Sequence, residues 1–173
     1  IAASFSASLL AAAGQTELLD DLLVGKTLVS TAWAATADAI VPPPIGANRR
    51  FAPMAGAASA YLLPEEVGDE LLLRLVKVED VETGEEPLQD GGFAATITIP
   101  PGAGRALSGD FRSAFAQAYD QAVLATSGYL LGLSERAFEI TLEYLKIRRQ
   151  FDQPLAAFQA LQHRVVDMKI QLT

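Results

Sequence analysis

Cysteine is absent from this chain of 173 residues, and histidine occurs only once. Without cysteine the chain forms no disulfide bond and offers no thiolate ligand or nucleophile. The absence also fits a reducing, cytoplasmic location. One histidine cannot form a histidine-based metal site without a second chain, so we interpret His163 as structural and expect no bound metal.

Basic residues are few as well, 13 against 21 acidic residues, and the formal net charge is −8. This balance argues against a nucleic-acid partner, because binding to phosphates favours clustered Lys and Arg. The one dense basic run, residues 146–149, is too short for a duplex and suits a single phosphate-bearing cofactor better. The sequence also lacks an uncharged apolar run of about 18 to 20 residues, so we expect no membrane span.

The order of apolar residues, glycines and prolines divides the chain into three regions. Residues 1–24 have helical spacing on either side of Gly14, which predicts two short helices. Residues 25–106 hold short strand candidates between Gly and Pro, typical of a small antiparallel barrel or sandwich. Residues 107–173 predict one long helix and a second helix opened by Pro154. The prediction is therefore an α+β fold, with helices flanking an antiparallel β domain and long bundle helices following. The strand candidates are 28–33, 58–63, 70–78 and 92–99.

The corner between the two predicted long helices has the side chains that a nucleotide cofactor needs. Arg148 or Arg149 offers a planar fork of donors that matches two phosphate oxygens. Phe151 offers an aromatic face for adenine, and Gln159 has an amide that both donates and accepts hydrogen bonds. The alternative is that the arginines are solvated charges at a helix end and that the aromatic residues only pack the corner. The candidate cofactor contacts here are Arg148, Arg149, Gln150, Phe151, Phe158 and Gln159.

The same corner resembles a known family. Residues 144–163 resemble the acyl-CoA dehydrogenase pattern Tyr-x-x-x-Arg-x-x-Phe-Gly, then Pro, then Phe-Gln after an aliphatic residue. Residues 128–137, and the glycine-linked helices before residue 26, are also similar to that family. The resemblance implies the end of an N-terminal helical domain (1–24), a middle β domain (25–106) and the start of a C-terminal helical bundle (107–173). Because the first residue is Ile1 and the last lies in an amphipathic run, we interpret the sequence as a segment of a longer chain.

The resemblance implies that FAD binds at this corner. The positions of Arg148, Phe151 and Gln159 would reach the adenosine and pyrophosphate half of an FAD held mainly by a neighbouring subunit. That arrangement implies an oligomer, usually a dimer of dimers, which is a homo- or hetero-tetramer. One residue departs from the pattern: Asp152 stands where the family has glycine, and it adds negative charge near a pyrophosphate.

Other positions match the family's flavin and substrate contacts with substitutions. Trp33 lies where the family's first β-domain strand ends, although a place in the core suits it better. Phe51 and Pro53 replace a tryptophan and a threonine beside the flavin ring, keeping apolar area but losing a hydroxyl. Tyr119 and Asp120 match an aromatic-Asp pair that contacts acyl-CoA in the family, although Val123 stands where the family has an arginine. The alternative is that Asp120 is an exposed carboxylate on a helix. We interpret the pairs Glu65-Glu66 and Glu85-Glu86 as solvated loop charge.

The implied reaction is the removal of two hydrogens from the α and β carbons of a fatty or steroid-derived acyl-CoA, with an electron-transfer flavoprotein as acceptor. A carboxylate base must take the α proton. Residues 121–134, where some family members carry it, contain no Asp or Glu, so we name no base. Two alternatives are a non-catalytic partner subunit of a heteromeric dehydrogenase and a helical interaction module without cofactor.

Overall fold

The computed structural model of the chain describes residues 1–36, 41–89 and 91–172. They form two compact units, residues 1–122 and 123–173, and one long helix crosses the boundary between the units. The first unit holds the short helices and both large sheets. The second holds most of the long helix, a small hairpin and the last helix.

The two predicted N-terminal helices are present, as α1 (Ala2–Ala12) and α2 (Thr16–Leu23). Gly14 ends α1 with φ +63°, a conformation that costs glycine no Cβ clash. The Gly14 backbone N donates to Ala11 O at 3.1 Å, and Gln15 N donates to Leu10 O at 3.0 Å. This pair of hydrogen bonds is the Schellman motif, which satisfies carbonyls left free at a helix end.

Among the described residues of the first unit, seven strands form two sheets. The four-stranded sheet has the order β1 (Val29–Thr31), β3 (Ala60–Val67), β4 (Glu70–Lys77) and β7 (Arg105–Leu107). The three-stranded sheet has the order β2 (Arg49–Pro53), β6 (Phe93–Thr98) and β5 (Glu82–Pro87). All pairings are antiparallel except β1 with β3, which is parallel.

The four-stranded sheet is buried on both faces. Along β3, Ala60 and Leu62 belong to the core shared with the helices, whereas Tyr61 and Leu63 belong to the core shared with the second sheet. Successive side chains of a strand point to opposite faces, so both faces of β3 must be apolar. The helix-side core also includes Phe5, Leu9, Leu10, Leu22, Val29, Leu71, Leu73, Leu107, Phe111, Phe115 and Ala118.

The predicted long helix is α3 (Arg112–Ile147), and α4 (Gln159–Gln171) follows it. Between them lie a hairpin of β8 (Arg149–Gln150) with β9 (Gln153–Pro154) and a 3₁₀ turn, Leu155–Ala157. The prediction that Pro154 opens the last helix is wrong, because Pro154 has ψ 147° and precedes the 3₁₀ turn. The proline ends the hairpin, and α4 begins five residues later.

The interpretation of Glu65-Glu66 and Glu85-Glu86 as loop charge is also wrong. Glu65 and Glu66 lie in β3, and Glu65 is only 1% exposed. Its carboxylate pairs with Arg74 at 3.0 Å and with Arg49 at 3.7 Å. Glu85 and Glu86 lie in β5. Arg74 on β4 supplies Glu65 with an opposite charge across the strands, and Arg50 on β2 pairs with Glu86 at 3.7 Å. The local sequence pattern shows neither partner.

The start of α3 predicts a pH dependence of stability. Asp110 Oδ1 accepts hydrogen bonds from the backbone N of Leu71 (2.9 Å) and Arg112 (3.1 Å). These bonds hold the pKa of Asp110 below its ordinary value of 3.8. A lowered folded-state pKa stabilises the fold above the unfolded-state value, and this contribution disappears as the pH falls through the folded-state pKa. We expect Asp110→Asn to flatten the loss of thermal stability below about pH 4; an unchanged acid profile would contradict this assignment.

Candidate functional site

The hairpin after α3 has a tight two-residue loop. Arg149 pairs with Pro154 and Gln150 with Gln153, which leaves Phe151 and Asp152 as the loop. Both loop residues have positive φ, 51° and 62°, as in the mirror-image turns that match the twist of a hairpin. Arg149 Nη2 donates to the Asp152 carbonyl at 2.6 Å and closes the loop. The geometry places Phe151 at the tip, where it is 86% exposed.

Backbone contacts fix this hairpin to the elements on either side. Arg148 N donates to Tyr144 O in the last turn of α3, and Arg148 O accepts from Leu155 N, both at 2.8 Å. The rings of Phe151 and Phe158 meet edge to face at 6.2 Å. The base of the hairpin is therefore tied to the helix end before it and to the 3₁₀ turn after it.

Five of the six predicted corner residues lie in this connection, and the sixth, Gln159, is the first residue of α4. Phe158 is half-buried, and the others are exposed. Within the described part of the chain, the Arg148 guanidinium makes no hydrogen bond or ion pair, whereas Arg149 is committed to the loop carbonyl. The connection thus presents a free cationic fork, an exposed aromatic ring and two amides, Gln150 and Gln159. This set matches a ligand with both an anionic and an aromatic part.

The predicted β-domain contacts Phe51 and Pro53 lie on a bulged strand. Arg49 pairs with Ile97 and Ala52 with Ala95, so β2 has one extra residue between these pairs. Phe51 lies in the bulge with φ 55°, and it is 37% exposed. The Arg50 guanidinium stacks over its ring at 4.9 Å. A bulge of this kind re-aims a side chain, and here it presents an aromatic ring to solvent.

Trp33 packs into the helix-side core. Its ring stacks on Phe5 at 5.0 Å and meets Tyr119 edge to face at 6.3 Å. The main chain beside it pairs with β2, because Arg50 N donates to Ala34 O at 2.8 Å. The structure therefore places the Trp33 ring among core aromatics, as the core interpretation expected, while its backbone lies next to the bulge that carries Phe51.

Tyr119 and Asp120 line a cleft of about 230 Å³ on the first unit. Tyr119 stacks on Phe115 at 6.2 Å and is half-buried, whereas Asp120 is exposed. An ion pair of Arg112 with Glu66, 3.4 Å long, lies in the same lining. The cleft thus combines an apolar wall with charged groups of both signs. It is lined by Val41, Pro42, Glu66, Leu71, Arg112, Phe115, Ala116, Tyr119 and Asp120.

Sequence reasoning missed Glu66 and Arg112 as members of this cleft. They lie 46 residues apart in the chain, on β3 and at the start of α3, and are joined by the antiparallel topology rather than by a motif. Arg112 Nε also donates to Asp69 O at 3.3 Å. In the described residues no group of three or more His, Asp or Glu side chains has the geometry of a metal site.

Comparison with known proteins matches both the sequence and the fold. The acyl-CoA dehydrogenase C-terminal domain matches residues 113–173. The chain is 41% identical over 76 residues to 3-sulfinopropanoyl-CoA desulfinase from Advenella mimigardefordensis, which is 44% of this chain and 18% of that relative. The chain therefore spans only part of the relatives it matches.

The fold match extends over nearly the whole chain. The ChsE4-ChsE5 complex from Mycobacterium tuberculosis aligns with a TM-score of 0.80 and 24% identity, over 97% of this chain and 50% of that chain. A glutaryl-CoA dehydrogenase from Mycobacterium smegmatis in complex with FADH2 aligns with a TM-score of 0.73 and 17% identity, over 91% and 46%. The fold is thus the α+β fold of acyl-CoA dehydrogenases, as predicted. The sequence match is confined to residues 113–173, which are similar to the C-terminal domain of acyl-CoA dehydrogenases.

Proposed function

We propose that this chain is part of a FAD-dependent enzyme that removes the α and β hydrogens of an acyl-CoA thioester. The observation that carries the proposal is the hairpin between α3 and α4, which exposes Arg148 and Phe151 inside the segment that matches the family's C-terminal domain. We assign residues 1–24, 25–106 and 107–173 to the end of the N-terminal helical domain, the middle β domain and the start of the C-terminal bundle.

The donor chemistry of the hairpin fits the adenosine and pyrophosphate half of FAD. Arg148 has an exposed, uncommitted guanidinium for a pyrophosphate, and the exposed face of Phe151 suits stacking on adenine. Gln150 and Gln159 supply amides for polar groups nearby. Arg149 and Phe158 hold the loop that presents these groups. A structure of a relative in this fold contains FADH2, which supports the choice of cofactor.

We assign the flavin half of a FAD molecule to the bulge of β2, whereas the hairpin would reach the adenosine half of a FAD held mainly by a neighbouring subunit. Phe51 presents an aromatic face there, and Pro53 adds apolar surface without a hydroxyl. Trp33 contributes through the position of its backbone beside the bulge. FAD, when bound, supplies the redox chemistry by accepting the β hydrogen as hydride. The chain's own part is to bind and orient the cofactor and to keep its ring against apolar side chains.

The cleft beside Tyr119 and Asp120 is our candidate for the substrate. Its wall of Leu71 and Phe115 suits an acyl chain, and the Arg112 guanidinium at the rim suits a phosphate or carboxylate of the thioester. We assign the acyl group to the fatty or steroid-derived class. The base that takes the α proton is assigned to no residue of this chain.

The surface of the helical unit supports an oligomer. Large apolar side chains on α3 beyond residue 122 are more than 45% exposed, which is typical of a protein interaction surface. The ChsE4-ChsE5 relative is itself a complex of two proteins.

We propose a homo- or hetero-tetramer, an electron-transfer flavoprotein as acceptor and a cytoplasmic location. No helix among the described residues is long and apolar enough to cross a membrane. The exposed side chains include Val123, Leu124, Tyr129, Leu130, Leu131, Leu133, Ile140, Tyr144 and Ile147.

Binding of FAD to the purified protein tests the proposal. Titration with FAD, followed by the quenching of flavin fluorescence, should show saturable binding. Protein that binds no FAD at any concentration would favour a helical interaction module in which the hairpin only packs. Titration with an acyl-CoA then tests the cleft separately, through the fluorescence of Trp33 near Tyr119.

Asp152 is predicted to lower the affinity of the hairpin for FAD. Its φ of 62° favours glycine, and it adds a negative charge to the loop of the hairpin that follows the proposed pyrophosphate contact, Arg148. We expect Asp152→Gly to raise FAD affinity by roughly two- to tenfold, by removing one exposed charge and easing the loop conformation. Asp152→Asn removes the charge but keeps a side chain that tolerates positive φ. Equal FAD affinity in Asp152→Asn and the unsubstituted protein would show that charge has no part in the effect.

A further inference from the structure

Arg49 is a buried cation in the β domain that the proposed reaction does not use. Its side chain is fully buried, and burial lowers its pKa to about 10 despite the raising effect of Glu65. The neighbouring Arg74 contributes to this lowering. Glu65 lies between the two guanidiniums, 3.7 Å from Arg49 and 3.0 Å from Arg74. We call these three side chains the Arg49 network.

The Arg49 guanidinium joins three separate stretches of backbone. Nε donates to Ala32 O and Nη2 to Pro64 O, each at 3.2 Å, and Nη1 donates to Ala47 O. These acceptors lie after β1, within β3 and before β2. A planar fork of donors suits this arrangement, because a single ammonium group cannot reach three diverging carbonyls at once.

Two of these stretches, the end of β1 and the start of β2, lie beside residues assigned to the flavin half of the site. Ala32 precedes Trp33, and Arg49 is two residues from Phe51 in the β2 bulge. Ser30 Oγ also donates to the Pro53 carbonyl at 2.6 Å. The Arg49 network therefore lies at the junction of both backbone segments that carry Trp33, Phe51 and Pro53.

The burial of the Arg49 charge and the backbone strain at Phe51 and Met54 both indicate that Arg49 fixes the position of the segments around it. A buried cation costs more desolvation than an apolar side chain of similar volume, so burial alone does not favour arginine at this site. Phe51 and Met54 both have positive φ, 55° and 57°, a conformation that persists only where surrounding contacts hold it. The hydrogen bonds of Arg49 to Ala32 O, Ala47 O and Pro64 O hold the start of β2, next to the bulge, against the end of β1 and against β3.

We propose that Arg49, oriented by Glu65, is a positioning residue that holds the Trp33–Ala34 and Phe51–Pro53 segments in one arrangement and thereby sets the affinity of the site for the isoalloxazine half of a flavin. The inference rests on the proposed FAD function. It extends that function to a residue that touches neither cofactor nor substrate and acts through backbone carbonyls.

Two substitutions and one matched control test the proposal. Arg49→Lys keeps the positive charge beside Glu65 but loses the fork, and Arg49→Met removes the charge as well. Leu107→Ala truncates a buried core side chain on β7, at the opposite end of the four-stranded sheet from β1. All three substitutions should lower the unfolding temperature, so FAD binding by each variant is measured at a temperature at which that variant is folded. Trp33 is the only tryptophan, so its fluorescence reports on one of the two segments.

We expect Arg49→Lys to bind FAD at least tenfold more weakly than the unsubstituted protein and to shift the Trp33 emission maximum. Leu107→Ala should change FAD affinity less than twofold and leave the emission maximum unchanged. Unchanged FAD affinity in folded Arg49→Lys, or an equal loss in Leu107→Ala, would overturn the proposal. If Arg49→Met fails to fold, the FAD affinity of Arg49→Lys alone tests the proposal. Absence of FAD binding in the unsubstituted protein would refute the proposed function instead, and Trp33 emission in Arg49→Lys would still test the positioning role.

Discussion

Replacement of Arg148 by alanine is expected to weaken FAD binding by about 10- to 100-fold. The guanidinium stands uncommitted beside the hairpin in the described structure, while Arg149 is held by the Asp152 carbonyl. A charge-assisted hydrogen bond to a phosphate contributes about 1.5–3 kcal/mol, and tenfold in affinity corresponds to about 1.4 kcal/mol. Fluorescence titration of the variant with FAD measures the loss directly. Adenosine diphosphate, which lacks the flavin, should lose affinity by a similar factor.

A matched control separates this contact from general electrostatics. Arg164 is an exposed arginine on α4, so Arg164→Ala removes the same charge from the same unit. We expect it to change FAD affinity less than twofold. Similar losses in Arg148→Ala and Arg164→Ala would mean that net charge, rather than the hairpin, attracts the cofactor. Full FAD affinity in Arg148→Ala would remove Arg148 from the site.

Replacement of Glu65 by glutamine is expected to destabilise the fold by about 3–5 kcal/mol, because it leaves two guanidiniums without their shared buried counter-charge. The carboxylate is 1% exposed and lies between Arg49 and Arg74. Denaturant unfolding, with the midpoint and slope fitted separately, measures the loss.

The adjacent residue supplies the control for this prediction. Glu66 pairs with Arg112 across 3.4 Å, but both side chains are substantially exposed, 34% and 48%. Because an exposed ion pair contributes at most about 1 kcal/mol, Glu66→Gln should have a small effect. A Glu65→Gln variant no less stable than Glu66→Gln would show that the Arg49 network is not an important source of stability.

The fold was predictable where local signals dominate. Gly14 indicated a helix end through its conformational freedom, and the long helix predicted within residues 107–173 is α3. The strands β2, β5 and β7 were missed. β5 (Glu82–Pro87) is mostly exposed and is set by its pairing with β6 rather than by an apolar pattern. Such strands form because they pair with strands distant in the sequence, and the pattern of neighbouring residues does not show this pairing.

The candidate site likewise has residues that a local motif predicts and residues that only the fold brings together. The six corner residues are close in sequence, so a motif identified them together. Glu66 and Arg112 reach the cleft beside Tyr119 only through the fold. Trp33 was assigned both to the core and to the cofactor, and its ring packs with Phe5. The buried role of Arg49 had no signal in the sequence, because an arginine between polar residues is indistinguishable from a solvated one.

The most direct test of the central claim is the flavin absorbance of the full-length protein, recorded before and after anaerobic addition of an acyl-CoA thioester. We expect one FAD bound per active site and loss of the yellow absorbance when the thioester is added, as the flavin is reduced. A folded protein that binds no FAD after titration, or whose bound FAD no acyl-CoA reduces, would contradict it.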